Sequence, residues 1–370
     1  MQCCDRSNYG ASFEALQRER PIQKSSERFQ EEGDDDGPPP GNFEGGGGTC
    51  GSFTSAVSRT LTPGASVSPA TRAKVLAATR SLGYRPNALA RSLMTRRTEL
   101  IGLVANNFDN PVFMEIFDLF TRRLQLRGRR PLLANLSGRA STESALDMLL
   151  QYSVDGVIVA SSTLPQQFVV ACAEAHLPVV HVFGRPGRGN LPIHVVSPDN
   201  LQGGRLAGDL LRARAYRKVA FLGGPQTATS TQDRLLGLTD SLAAGKLEPR
   251  TIVYADSYTH EAGLTLMRQL LRQGDMDAIF CGDDNLALGA IDACHEAGVD
   301  VPGDVGVIGF NDMAIAAWGS YDLTTIRQPT AEIITAAVDL VLDIIDRPVK
   351  KGTVHLFDCR AMIRGTLKPA

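Results

Sequence analysis

Beyond residue 99 the sequence repeats one arrangement, a short apolar run followed by an amphipathic segment long enough for several helical turns. The runs occupy 100–105, 131–134, 154–160, 178–183, 219–223, 278–281 and 305–310. They are too short for core helices and rich in branched aliphatics, as strands buried on both faces are. Strands that alternate with helices form parallel sheets covered on both sides. The region holds about 270 residues, more than one such sheet usually organises, so two α/β lobes are expected. Ligands of open α/β sheets collect beyond the carboxyl ends of the strands, which makes the polar residues just after each run the first candidates for a site.

The preceding part of the chain is of two kinds. Residues 1–50 carry ten acidic and five basic side chains, including the run Glu31-Glu32-Gly33-Asp34-Asp35-Asp36 followed by three prolines and later four glycines. Such a segment cannot bury enough apolar surface to order itself, and residues 1–51 are expected to form a disordered leader. Residues 52–97 carry eight Arg and Lys side chains and no Asp or Glu. An all-positive block is either a solvated face or a nucleic-acid footprint. It reads as short helices: one over 53–61 that Thr62-Pro63-Gly64 breaks, and one that Ser68 caps with Pro69 at its first position, with Val75, Ala78 and Leu82 on one face and Gly83 at its end. A further short helix fits 87–94.

Several classes of function find no support. Seven cysteines, at 3, 4, 50, 172, 281, 294 and 359, are an odd number without CxxC spacing or nearby histidine pairs, so neither a disulfide framework nor zinc is expected. No uncharged apolar run reaches 18 residues, and Met1-Gln2-Cys3-Cys4-Asp5-Arg6 is not followed by the apolar core of a signal peptide. The expected location is the cytoplasm, with no membrane partner. Dinucleotide, P-loop, HExxH and GxSxG signatures are missing, and the Asp283-Asp284 pair has no opposing carboxylate. The chain is therefore not expected to be an enzyme, and no cofactor or metal is expected.

Three phrases of the basic block (Ala56-Val57-Ser58-Arg59; Val67-Ser68-Pro69-Ala70-Thr71-Arg72; Leu82-Gly83-Tyr84-Arg85-Pro86-Asn87-Ala88-Leu89-Ala90-Arg91-Ser92-Leu93) lead into further motifs in fixed order. These are Asp109-Asn110-Pro111, Val154-Asp155-Gly156-Val157-Ile158, Ser197-Pro198-Asp199-Asn200, Gly282-Asp283-Asp284-Asn285, Gly309-Phe310-Asn311-Asp312 and Leu323-Thr324-Thr325-Ile326-Arg327-Gln328-Pro329. Together they closely resemble the lactose/galactose-repressor family of transcriptional regulators over residues 51–370. The resemblance implies a two-lobed, periplasmic-binding-protein-like (type I) α/β sensor with parallel sheets, preceded by a small all-α, partial helix-turn-helix headpiece. The headpiece would span 52–86, the hinge helix and linker 87–98, and the effector-binding and dimerisation domain 99–370. The N-lobe would comprise about 99–195 and 329–356, the C-lobe about 196–328 and 357–370, with chain crossings near 196–198, 328–329 and 355–358.

The implied function is that of a repressor, a homodimer on double-stranded operator DNA whose affinity is switched by a sugar, sugar acid or related metabolite. The alternative is a cytosolic sugar-binding sensor that has lost specific DNA binding. On the DNA side the resemblance points to Thr54, Ser55, Ser58 and Arg59 at the major groove, and to Asn87, Ala90 and Leu93 in a hinge helix that opens the minor groove. On the effector side it points to Arg234, three residues before Gly237, where a guanidinium can hold a carboxylate or vicinal hydroxyls. Without the motif such an arginine would be a surface charge. Asp283 and Asn311 follow strands and can hold ligand hydroxyls or cap the next helix. Phe113 either covers a ligand face or fills the core. Gly184 stands where many relatives carry Asp, and Arg185 beside it could favour an acidic ligand.

One departure from the family concerns the helix that precedes the recognition helix. Its place is taken by Asn42-Phe43-Glu44 and the four glycines 45–48, each of which costs a helix about 1 kcal/mol against alanine. A variant carrying a family-type first helix in place of residues 1–52 is expected to bind an operator selected with it at least about tenfold more tightly than the present chain. Titration of both at one salt concentration checks this. Equal affinities would show that residues 1–52 supply the missing packing.

Overall fold

The computed structural model describes residues 56–60, 64–83, 92, 95–106, 108–136, 142–163, 166–185, 193–349 and 351–369. The leader assigned to 1–51 and the DNA-contact positions Thr54, Ser55, Asn87, Ala90 and Leu93 lie outside the described residues. The chain divides into two units, residues 1–84 and 85–370.

In the first unit, residues 56–60 are helical and helix α1 spans Pro69–Ser81. The Ser68 hydroxyl caps α1 by accepting from the Thr71 amide, and Pro69 opens it where no amide hydrogen is needed. Arg72 donates to the carbonyls of Thr60 at 3.2 Å and Ala65 at 3.3 Å, which ties the two helical segments together. The apolar face expected for this helix is not buried: Leu82 and Ala78 are exposed and Val75 is only half-buried. A helix with no acidic residue and little covered surface is held here by its cap and by Arg72.

The second unit contains two six-stranded sheets. In the first lobe β1 (Leu100–Ala105), β2 (Arg130–Asn135), β3 (Gly156–Ala160), β4 (Val179–Val182), β5 (His194–Pro198) and β11 (Val354–Phe357) are parallel in the order β11-β5-β4-β3-β1-β2. In the second lobe β6 (Val219–Gly223), β7 (Thr251–Tyr254), β8 (Ala278–Cys281), β9 (Gly306–Asn311), β10 (Thr325–Arg327) and β12 (Arg360–Met362) take the order β12-β10-β9-β8-β6-β7, with only β12 antiparallel. Residues 196–198 and 357, given by the sequence to the C-lobe, pair in the first sheet, because β5 and β11 run on together to Pro198 and Phe357. The central strands β1, β3, β4, β6, β8 and β9 are the apolar runs of the sequence. Strands β5, β7, β10, β11 and β12 are not among those runs; of these β7, β11 and β12 lie at sheet edges, and β11 is largely exposed.

Helices α2 (Val112–Leu126), α3 (Thr142–Gln151), α4 (Gln166–Glu174) and α9 (Thr330–Asp346) belong to the first lobe. Phe120 and Leu124 of α2 meet Val338 and Val341 of α9 in its core, although α9 follows the whole second lobe in sequence. Helices α5 (Asn200–Ala213), α6 (Thr229–Ala244), α7 (His260–Gln273) and α8 (Asp284–Glu296) belong to the second. Helices α5 and α6 approach until backbone meets backbone: a Cβ on Gly204 would lie 2.2 Å from the Arg234 carbonyl oxygen. Gly204→Ala must therefore push α6 away, and is expected to cost about 1–3 kcal/mol. Urea unfolding monitored by circular dichroism checks this. A wild-type midpoint would show that the helices separate without cost.

Candidate functional site

In both sheets the chain first adds a strand on one side (β2, β7) and then builds outward on the other, which leaves a switch point beside β1 and β6. The residues that follow the strands meet in a cleft between the lobes, of about 460 Å³ counted to its open mouth. Asn110 comes from the loop after β1, Ser162 from the loop after β3, Phe183 from just past β4 and Asn200 from the first position of α5. Tyr258 follows β7, Asp283 follows β8, Asn311 ends β9 and Gln328 follows β10, while Ser230 and Arg234 project from α6.

The hub is Asp283. Its side chain is 2% exposed. It caps α8 by accepting from the Asn285 amide at 2.8 Å, and its other oxygen accepts from the side-chain amides of Asn110 and Asn311, both at 2.8 Å. The Asn110 side-chain Oδ1 in turn accepts from Asn285 Nδ2 at 3.0 Å and from the Val112 amide at 3.1 Å. Asn110 belongs to the first lobe and Asp283 to the second, so these bonds run across the cleft. Asn311 accepts from Gln328 Nε2 at 2.9 Å. Gln328 Oε1 is buried and has no partner among the described residues.

Arg234 is 6% exposed, not the surface charge that a lone arginine on a helix suggests. Its Nε donates to Asn200 Oδ1 at 2.8 Å, its Nη1 to the Gly282 carbonyl at 2.5 Å, and its guanidinium carbon lies 3.5 Å from the centroid of the Phe310 ring. Burial lowers its pKa, and Tyr258, Asp283, Cys359 and Asp284 oppose that shift. Neutral acceptors and a ring face hold the cation in place, which leaves its outer edge toward the cleft.

All four effector-side residues singled out from the sequence, Phe113, Arg234, Asp283 and Asn311, line this one cleft. Asp283 combines cap and cleft positions. Asn311 does not cap a helix: it ends β9 with φ at 120°, and Met313 caps the following 3-10 turn. Asp312, also left-handed, accepts from Arg327 and Arg364, and this ion pairing fixes the bend that turns Asn311 toward Asp283. Phe113 is both core and wall, with its ring 6.1 Å from that of Phe117. The sequence reading missed Asn110, Asn200, Phe183, Tyr258 and Gln328 as site residues. A systematic search of the positions after each strand would have found most of them. Arg185 does not point at the cleft; it reaches α6. On the DNA side, Ser58 and Arg59 lie on the exposed part of helix 56–60.

Residues 209–367 match the family model described as a periplasmic binding protein-like domain. The HTH-type transcriptional regulator CelR of Thermobifida fusca is 33% identical over 316 residues, which cover 83% of this chain and 93% of the relative. The chain belongs to the lactose/galactose-repressor family of transcriptional regulators. The HTH-type transcriptional repressor PurR of Klebsiella pneumoniae is 32% identical over 78% of this chain and 86% of that protein. Among solved structures of the family, the lac repressor dimer bound to operator and the anti-inducer ONPF superposes with a TM-score of 0.76 at 26% identity, over 85% of this chain and 95% of that one. The CelR–cellobiose complex gives 0.67 at 30% identity, over 84% and 94%. Among the described residues no helix is long and apolar enough to cross a membrane.

Behind Asp283, Asp284 is fully buried and accepts from Thr325 Oγ1 at 2.5 Å and the Met313 amide at 2.7 Å. Burial pushes the carboxyl of Asp283 up to about 6 and that of Asp284 up to about 7. Both values exceed that of an unfolded carboxyl, so the folded chain holds protons that the unfolded chain releases. Their contribution is complete below the ordinary carboxyl value and is lost as pH rises through about 6 and 7. Asp284→Asn is therefore expected to flatten the upper part of that loss. Unfolding free energies of both proteins between about pH 4 and pH 8 check it, and parallel curves would show that Asp284 stays ionised in the fold.

Proposed function

We propose that this chain is a cytoplasmic transcriptional repressor, not an enzyme, that binds double-stranded operator DNA as a homodimer and releases or grips it when a small sugar or sugar acid enters the cleft. On this reading residues 52–86 serve as headpiece, 87–98 as hinge, and 99–370 as sensor. Thr54, Ser55, Ser58 and Arg59 contact the major groove, and Asn87, Ala90 and Leu93 the minor groove. The observation that carries the proposal is convergence: Phe113, Arg234, Asp283 and Asn311, far apart in sequence, line one cleft.

The chemistry of the walls supports this effector class. Val112, Phe113, Ile116 and Phe183 of the first lobe offer an apolar wall, while Asn200, Arg234, Asp283, Asn311 and Gln328 offer hydrogen-bonding groups from the opposite side. A sugar ring has the matching two faces, C–H on one and hydroxyls on the other. The buried Gln328 Oε1 suits a ligand hydroxyl donor, and the edge of Arg234 suits two hydroxyls or a carboxylate. A ligand that bridges both walls favours one lobe arrangement, and the first lobe, which directly follows the hinge, would pass that preference to the headpiece. The coupling is reciprocal, so operator DNA changes effector affinity by the same factor.

Cellobiose, the compound in the CelR complex, is the first to test, in a thermal-shift screen that also contains monosaccharides, sugar acids and nucleosides. A binder at 100 times its dissociation constant stabilises the fold by about 2.7 kcal/mol. Arg234→Ala is expected to shrink that stabilisation to about 0.3–1.3 kcal/mol at the same concentration, through loss of a contact worth about 1.5–3 kcal/mol. Calorimetry that returns the wild-type affinity for this variant would remove Arg234 from the site.

A further inference from the structure

The second connection between the lobes lies at the rim of the cleft. Arg185, in the first lobe just past β4, reaches α6 of the second. Its Nε donates to Asp233 Oδ2 at 2.9 Å, its Nη2 to Asp233 Oδ1 and at 3.4 Å to the Thr229 carbonyl, and its Nη1 to Gln232 Oε1 at 3.1 Å. Beside it the Thr229 amide donates to the Ser162 carbonyl at 3.1 Å, and Ser230 Oγ to Ser162 Oγ at 3.0 Å. Two loops of the first lobe, after β3 and after β4, therefore dock on the first turns of α6. Asp233 immediately precedes Arg234, whose guanidinium lines the cleft.

The local backbone aims Arg185 at this target. Phe183 is left-handed with φ at 65°, an uncommon state for a bulky residue, and its side chain forms part of the cleft wall. A Cβ on Gly184 would lie 2.1 Å from the His181 ring. That ring is buried and anchored by a 2.8 Å hydrogen bond from Nε2 to the Ser161 carbonyl. No side chain fits at 184, so the chain emerges from β4 with Arg185 as its first side chain able to cross between the lobes.

We propose that Arg185 is a positioning residue of the cleft: its forked ion pair with Asp233 clasps the lobes and holds the helical turn that carries Arg234 against the first-lobe wall. All three nitrogens of the guanidinium donate to α6, and the partners sit in different lobes, so the pair exists only when the lobes are together. The clasp differs from the Asn110–Asp283 link in its exposure. Side-chain exposures of 41% for Arg185 and 24% for Asp233 leave the ion pair open to salt, whereas Asn110 and Asp283 are buried. Lobe closure in this chain is accordingly tuned by ionic strength at the rim and insensitive to it at the centre.

The test needs no effector. Keto-bearing amino acids at Tyr152 in the first lobe and Ile252 in the second, both exposed, take a fluorophore pair on the full chain, and single-molecule transfer efficiency reports the separation of the lobes. At about 50 mM salt, Arg185→Ala and Arg185→Gln are each expected to raise the open population about threefold, and wild type is expected to rise comparably at about 500 mM salt. The exchange Arg185→Asp with Asp233→Arg is expected to restore closure at low salt, which a role in packing alone would not do. Melting by circular dichroism confirms that each variant is folded. Folded Arg185 variants with the wild-type distribution would overturn the proposal, as would a folded charge exchange that stays open.

Discussion

A carboxylate taken out of water must find donors, and Asp283 finds them on both sides of a cleft. It collects the amide of its own helix, Asn311 from the neighbouring strand and Asn110 from the other lobe. Removing any of these donors would leave a buried carboxylate short of a hydrogen bond, so the groups around it are held in place. The arrangement of the cleft follows from this requirement. Asn110 must stand in the loop after β1 and Asn311 at a left-handed bend, and that bend in turn depends on the ion pairs of Asp312 with Arg327 and Arg364.

Around that hub the parallel sheets supply rigidity and direction. Their parallel strands deliver loops to the same edge, so residues separated by more than a hundred positions arrive within hydrogen-bonding distance. Arg234 reaches the cleft for a different reason. Gly204 lets α5 and α6 touch, and the helix is thereby set deep enough that its arginine stacks on Phe310 instead of facing solvent. The same helix begins where Ser162 and Arg185 dock, so one element carries both a cleft residue and the contacts between the lobes.

Much of this was legible in the chain. Strands β1, β3, β4, β6, β8 and β9 announced themselves because strands buried on both faces tend to be apolar throughout, and Ser68-Pro69 marked a helix start because only certain groups satisfy free amides. Strand β11, largely exposed at a sheet edge, was not legible, and neither was β5, which is buried but breaks its apolar run with His194 and Ser197. The one-sided spacing of Val75, Ala78 and Leu82 gives the face of a helix without saying what covers it, and Leu82 is exposed.

The sequence by itself determined the fold class, the family and four residues of the cleft, because periodicity and short motifs are local properties that survive without coordinates. Only the tertiary structure decided which polar residues act together. That Gln328 carries a buried acceptor without a partner, that Asn311 bends instead of capping, and that Arg185 faces Asp233 and not a ligand all depend on separations in space between elements remote in sequence. Hydrogen bonds and ion pairs act over a few ångströms, and only folding sets distances on that scale between such residues.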